Sequence, residues 1–358
     1  MSCLHRYWVK EFTKLFVIIQ MVILVLFVFI DYLSRLDRFL ESGISLWLAL
    51  WYVVLKLPFM FIQLTPAGIL LAVIVVFGTM NRNNELVALR SSGISVYYLA
   101  KPVMAAGVVL ALVMFLVGEF LIPVSMSRAN YLRYYKMVKN ADTSQVRNDV
   151  WVKQGQTLIH INYFDPAALK LSGFTATTMG DDFKIQMRVD AQRGYYGDGR
   201  WVFEDGSVQS YSPGNSDYEV AYFDSRAFDF DLNPDTIGNV SRKTNEMSFG
   251  QLRAYAKKVA AEGYDATVYR VDMHGKIAFP FICIFMGLIG AATGMGRRVR
   301  NNMPVGIALG VVISFFYWVS YGLCLSMGYA KVLPPVVAAW VTNVFFLMGG
   351  AVYLMRVE

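Results

Sequence analysis

Long apolar runs occupy both ends of the chain, and a stretch with the alternation of β-strands lies between them. The first run, Leu15 to Ile30, continues past Asp31 to Leu33, and Arg6, Lys10 and Lys14 precede it. At about 1.5 Å per residue, roughly 20 residues cross a hydrocarbon core about 30 Å thick. The run is therefore long enough for an uncleaved anchor, and no small-x-small cleavage site follows it. Its basic start places the N-terminus in the cytoplasm. Ser45 to Leu57 is apolar and aromatic, with Trp47, Trp51 and Tyr52 suited to a membrane interface. Pro58 opens a second span, roughly Phe59 to Gly78, with a kink expected at Pro66. A third runs from about Val103 to Leu121, ended by Glu119 and Pro123, and Ile277 to Met295, Pro304 to Met327 and Val332 to Met355 complete six.

The linkers between spans carry the polar signals. Between spans 2 and 3, Glu85-Leu86-Val87-Ala88-Leu89-Arg90 favours helix, with Asn83 or Asn84 to cap it and Gly93 to stop it, giving a helix over about 82–92. A stiff two-turn helix held at both ends by membrane spans can pass on a push, which a transporter needs where a motor protein docks. Arg297, Arg298 and Arg300 lie between spans 4 and 5, and Arg356 follows span 6. Six spans with both termini and these loops in the cytoplasm satisfy the positive-inside rule.

The middle of the chain, about Ser125 to Tyr269, changes period. A helical arm from Ser127 to Lys139 gives way to strand-like segments at Thr157 to Tyr163, Lys184 to Val189 and Trp201 to Phe203. Turn pairs are expected at Gln154-Gly155, Asp198-Gly199, Asp205-Gly206 and Pro213-Gly214. Short strands so punctuated predict a sandwich or jelly roll. Phe249, Leu252, Tyr255 and Val259 then recur at helical spacing from Ser248 to Glu262, before Gly263. The expected partition is 1–124 for spans 1 to 3, 125–270 for an extracytoplasmic β domain with helical arms, and 271–358 for spans 4 to 6.

Composition sharpens the partition. Of 358 residues 56% are hydrophobic and the mean hydropathy is +0.43, too apolar for a soluble fold of this size. Residues 1–120 hold 9 basic and 6 acidic side chains, 121–270 hold 18 of each, and 271–358 hold 6 and 2. The net +7 thus belongs to the membrane blocks, which favours topology and lipid contact over nucleic-acid binding. Cys3, Cys283 and Cys324 leave the middle domain without a disulfide, and the scattered His5, His160 and His274 give no reason to expect a metal or other cofactor.

The spans from Phe59 to Met80, Val103 to Gly118, Ile277 to Met295, Pro304 to Met327 and Val332 to Met355 contain no Asp, Glu, His, Lys or Arg. Proton- and sodium-coupled carriers usually place such groups at mid-membrane. No G-x-x-x-x-G-K-[ST] phosphate loop occurs either. Uphill transport would therefore draw its work from a separate ATPase. Arg35, Arg38, Lys56 and Lys331 fall on the outer side. They either snorkel and pair locally, with Asp37 and Glu41, or attract lipid phosphates. Gln20 in span 1 is expected to hydrogen-bond another helix, and the many Met and Phe residues to pack or face lipid.

The chain resembles the permease family of the lipopolysaccharide export ABC transporter, the LptF/LptG family, over nearly its whole length. Leu4-His5-Arg6-Tyr7, the segment Pro66 to Gly93 and Asp149-Val150-Trp151 carry the resemblance. So do Leu232-Asn233-Pro234-Asp235, Met247-Ser248 through Leu252, Tyr255, Gly263 and Tyr269 to Lys276 and Pro280, and Pro334-Pro335. It implies six transmembrane helices, three before and three after an inserted periplasmic β-jelly roll, in a multi-pass protein of the bacterial inner membrane. It implies a heterodimer with a second permease of the family, a dimeric cytoplasmic ATPase (LptB type), a single-span jelly-roll protein (LptC type) and a periplasmic bridge (LptA type), with lipopolysaccharide as substrate. It gives Glu85, with Leu86, Leu89 and Arg90, to the helix that couples to the ATPase. Lipid phosphates fall to Arg35 and Arg38, although the local pattern Ser34-Arg35-Leu36-Asp37-Arg38 departs from the family's, and acyl chains pass Ile159 and Ile161 inside the jelly roll. A proline common in the last span is replaced within Val341-Thr342-Asn343. Of the two permease types, the G type is expected, as a subunit that does not itself hydrolyse ATP. The competing function is a membrane receptor or assembly scaffold with a periplasmic sensing domain.

Overall fold

The computed structural model describes residues 3–41, 45–132, 150–165, 169–180, 184–197, 200–212, 217–230, 232, 244–261, 263 and 265–357. It forms two compact units: a helical one from the described residues of Met1–Met137 and Thr244–Glu358, and a β unit from those of Val138–Lys243.

In the helical unit, α1 (Cys3–Leu33) is followed by the short α2 (Leu36–Glu41) and α3 (Leu46–Leu55), then α4 (Leu57–Arg82), α5 (Glu85–Ser91), α6 (Val96–Leu116) and α7 (Ile122–Leu132). After the β unit come α8 (Phe249–Ala261), α9 (Thr267–Met295), α10 (Arg297–Asn301), α11 (Met303–Tyr329) and α12 (Pro335–Val357). Six segments are long and apolar enough to cross a membrane: α1, α4, α6 continued into α7, α9, α11 and α12. α3 is the interfacial piece. It buries Ala49, Tyr52 and Val53 against Phe39 and Ala129 and leaves Trp47 and Trp51 exposed.

α9 is the axis of the bundle, with 78% of its most apolar window buried, against 11% for α1 and 22% for α11. It packs on α4 at van der Waals closeness because Gly290 and Gly294 carry no side chain. A Cβ at Gly290 would lie 2.9 Å from the Leu70 carbonyl oxygen, and one at Gly294 2.8 Å from Phe77 Cβ. α9 also starts ten residues earlier than the expected span and adds Asp272, His274 and Lys276 to one end of the helix.

Pro123 does not end the third span. The backbone widens first into a π-helical turn, Val117–Leu121, in which the Ile122 N–H reaches back five residues to the Val117 carbonyl, and then resumes as α7. A proline lacks the N–H of an ordinary turn and its ring crowds the carbonyl four residues back. The wider turn accommodates both.

The β unit is a six-stranded antiparallel meander in the order β1 (Val150–Gln154), β2 (Thr157–Asp165), β3 (Lys170–Met179), β4 (Ile185–Gly197), β5 (Arg200–Ser212) and β6 (Asp217–Phe228). It is the jelly-roll-like sheet domain expected between spans 3 and 4. Its core gathers Ile159, Ile161, Phe174, Val189, Trp201 and Phe203 with their neighbours, and the Trp201 indole N–H donates to the Leu232 carbonyl at 2.7 Å.

A crease crosses five of the strands. Asn162, Gly173, Gln192, Asp205 and Asp224 are skipped by the pairing, while Ile161 faces Phe174, Ala191 faces Gly206 and Gly206 faces Phe223 on one side of the line. Across it the buried positions slip by one: Ile159 and Ile161 give way to Phe164, and Val189 and Ala191 to Gly194. Asp205-Gly206, expected to separate two strands, lies on this line inside β5. Its left-handed Asp205 (φ 54) serves a bend and not a hairpin, as Gly173 (φ 65) does in β3. The pairs Asp198-Gly199 and Pro213-Gly214 and the end of the arm to Lys139 lie outside the described residues.

Candidate functional site

At one end of the bundle, α5 leaves α4 through Asn84, which adopts a left-handed backbone (φ 62). Asparagine tolerates that conformation, and its side chain makes no cap bond, contrary to the expectation that Asn83 or Asn84 would cap the helix. The other terminus follows expectation. Gly93 (φ 80) closes a Schellman turn in which the Ile94 N–H donates to the Leu89 carbonyl and the Gly93 N–H to that of Arg90.

Leu86 is 3% exposed and Leu89 packs partly buried on the main core, whereas Val87 and Arg90 face outward and Glu85 is half-buried beside Tyr7. The four residues singled out on this helix thus divide into two that root it and two that it presents. Next to it, Asn81 Nδ2 lies 3.4, 3.1 and 3.3 Å from the carbonyl oxygens of Gly294, Met295 and Gly296. The end of α4 is therefore held to the end of α9. Asn81 sits inside the polar stretch seen in the sequence, but nothing local distinguishes it from Asn83 and Asn84; its role depends on a helix more than 200 residues away.

At the opposite end, Asp31 accepts from Arg35 Nε at 3.1 Å and from Lys56 Nζ at 2.8 Å. Arg35 and Lys56 both lie under 6 Å from the Tyr52 ring. A local partner of Arg35 is thus Asp31, one helical turn back. The side chain of Arg38 lies outside the described residues. Lys331 pairs with Asp265 at 2.8 Å, and its hydrogen bond, with those from Thr267, holds the Asp265 carboxyl well below the usual carboxylate range.

The same end holds a cavity of about 440 Å³ among α4, the π turn, α9 and α11. Phe59, Phe115, Phe279, Trp318 and Leu325 form most of its wall, and Glu119, Asp272 and Lys276 bring charge to it. Glu119, on the π turn, accepts the backbone N–H groups of Phe249 at 2.6 Å and Gly250 at 3.2 Å, so its carboxylate caps α8. Asp272 accepts the Tyr329 hydroxyl. In mid-bundle, Asn343 accepts from the Tyr317 hydroxyl and donates to the Ala278 carbonyl at 2.6 Å. Gln20, expected to bond another helix, is 4% exposed, faces Gly68, and neither its oxygen nor its nitrogen has a partner among the described residues.

In the β unit, Ile159 and Ile161 are fully buried on the inner face of β2. They sit in one core with Phe174 and Val189, on the same side of the crease.

A six-span bundle with a sheet domain inserted after the third span, a charged cavity at one end and a rooted short helix at the other is the architecture of a multi-pass membrane protein. The comparisons with known proteins agree. The chain matches the family described as lipopolysaccharide export system permease LptF/LptG over residues 6–356, and it belongs to that family. It is 22% identical over 292 residues to the lipopolysaccharide export system permease protein LptG of Escherichia coli K12, covering 81% of each chain. To the LptG protein of Haemophilus influenzae it is 20% identical over 325 residues, 88% of this chain and 90% of that one. Family and helices together make it a multi-pass protein of the inner membrane and a transport component.

Proposed function

We propose that this chain is the permease subunit of an ATP-driven exporter that extracts lipopolysaccharide from the inner membrane and passes it through its periplasmic jelly roll to a bridge leading to the outer membrane. Its partners are a second permease of the family, a dimeric cytoplasmic ATPase, a single-span jelly-roll protein and the bridge protein. In this scheme both termini and α5 are cytoplasmic, Arg35 and Arg38 meet lipid phosphates at the outer leaflet, and Ile159 and Ile161 border the acyl path.

The observation that supports coupling most directly is the division of α5. Leu86 and Leu89 root it in the bundle core while Val87 and Arg90 lie on its exposed face and Glu85 is half-buried beside Tyr7. A push on the outward face would load Leu86 and Leu89, and through the neighbouring Asn81 contact it would reach the end of α9. The chain of packed groups is continuous, and discrete repacking of such groups is how small displacements are amplified.

Glu85→Lys tests this. The variant is expected to fold and insert with an unchanged melting curve, because Glu85 contributes little to the core. It should lose copurification with the ATPase, or retain it without lipid export. Normal export by an ATPase-bound Glu85→Lys complex would refute the coupling role.

A further inference from the structure

The cavity at the outer end has the chemistry of a lipid site. Its volume of about 440 Å³ falls among ligand pockets, and its walls are mostly aromatic and aliphatic. It lies between segments long enough to span a membrane, so the ligand available to it is a membrane amphiphile.

The charges at its rim select the head group. Lys276 sits one helical turn after Asp272, and Glu119 also acts on it electrostatically, yet among the described residues its ammonium has no hydrogen bond or ion pair. Both carboxylates are partly engaged, Glu119 by the α8 amides and Asp272 by Tyr329. Each retains lone pairs, since an ionised carboxylate offers about four acceptor sites. One open cation between two carboxylates opposes a purely anionic head and matches a zwitterion.

We propose that the cavity binds one acyl chain of an amine-bearing zwitterionic phospholipid, with the phosphate on Lys276 and the primary ammonium on Glu119 and Asp272. The bound lipid would lie across the π turn, α9 and α11, and join the third span to the fourth and fifth. This site does not depend on the export function and is read without any ATPase.

The test uses the full chain in nanodiscs of equal parts phosphatidylethanolamine, phosphatidylglycerol and phosphatidylcholine with added lipopolysaccharide, followed by native mass spectrometry of the retained lipid. Phosphatidylethanolamine should be retained over phosphatidylglycerol and over phosphatidylcholine in a ratio of about ten to one, the worth of one charge-assisted contact. Phosphatidylcholine, whose quaternary amine has no N–H, and phosphatidylglycerol, which has no amine, should not be enriched. Lys276→Gln should abolish the preference. Gly322→Phe should abolish retention, because a Cβ at Gly322 meets nothing within 4 Å and the ring can occupy the cavity. If Gly322→Phe does not fold, Lys276→Gln decides alone. Retention in proportion to the bulk mixture, enrichment of phosphatidylglycerol or lipopolysaccharide, or a phosphatidylethanolamine preference that survives Lys276→Gln would each overturn the proposal.

Discussion

Asp31 sits near the end of an apolar helix, where a lone carboxylate would be expensive, and it is retained there by two cations. Both Arg35 and Lys56 use it, and neither has more than a third of its side chain exposed. Asp31→Ala removes the carboxylate that Arg35 and Lys56 share beside Tyr52, and we expect a loss of about 1–3 kcal/mol in detergent unfolding; an unchanged midpoint would show that the pair adds nothing to stability. Asn81→Leu removes the donor that ties α4 to α9 and should cost about 1 kcal/mol, the scale of an interhelical hydrogen bond within a membrane. The Asp265–Lys331 pair carries a pH signature. A carboxyl whose folded pKa is depressed adds stability above its unfolded value, about 3.9, and loses it as pH falls through the folded value. Lys331 and Thr267 depress Asp265, so its contribution is complete above about pH 4 and fades in stronger acid. Asp265→Asn should be less stable than the parent at neutral pH, and the difference should shrink below pH 4.

Among the elements, α9 shows how a helix is made central by what it omits. Gly294→Val would drive a methyl-bearing carbon into Phe77 and the Ile74 carbonyl, each under 3 Å from the position of Cβ. Overpacking of this kind costs about 1–3 kcal/mol, and loss of assembled protein in a melting assay would register it. Much of this was legible in sequence: the six spans, the α5 segment with its Gly93 stop, α8, and strands β2 and β4 all follow from periodicity and turn chemistry. What escaped has a common cause. Local rules treat proline and Asp-Gly as ends, but the surrounding structure continues through Pro123 by a π turn and through Asp205-Gly206 by a crease. The hydropathy run of the fourth span begins after Asp272 and Lys276, although the helix does not. Asn81, Asp31 and Glu119 act on partners distant in sequence, and no window around them contains that information.

At the scale of the molecule, the β unit is a compact unit with its own core, closed by Trp201 bonding the Leu232 carbonyl. Residues 138–243 expressed alone should therefore unfold in one cooperative transition, and Ile161→Asp, which buries a charge at a position with no exposure, should abolish it. A non-cooperative melt of the unmutated fragment would show that the helical unit is needed to complete the core.

The crease sets a rule for how this sheet can vary. Each of five strands spends one residue on the same line, so neighbours stay in step although the pleat of every strand changes phase there. Delete that residue from a single strand and everything beyond it turns inside out relative to the strands it pairs with, apolar rings to water and charges to the interior. The fold can lengthen or shorten along that line only by editing all five strands together, which makes the bend a shared inheritance of the sheet and not the property of any one glycine or aspartate.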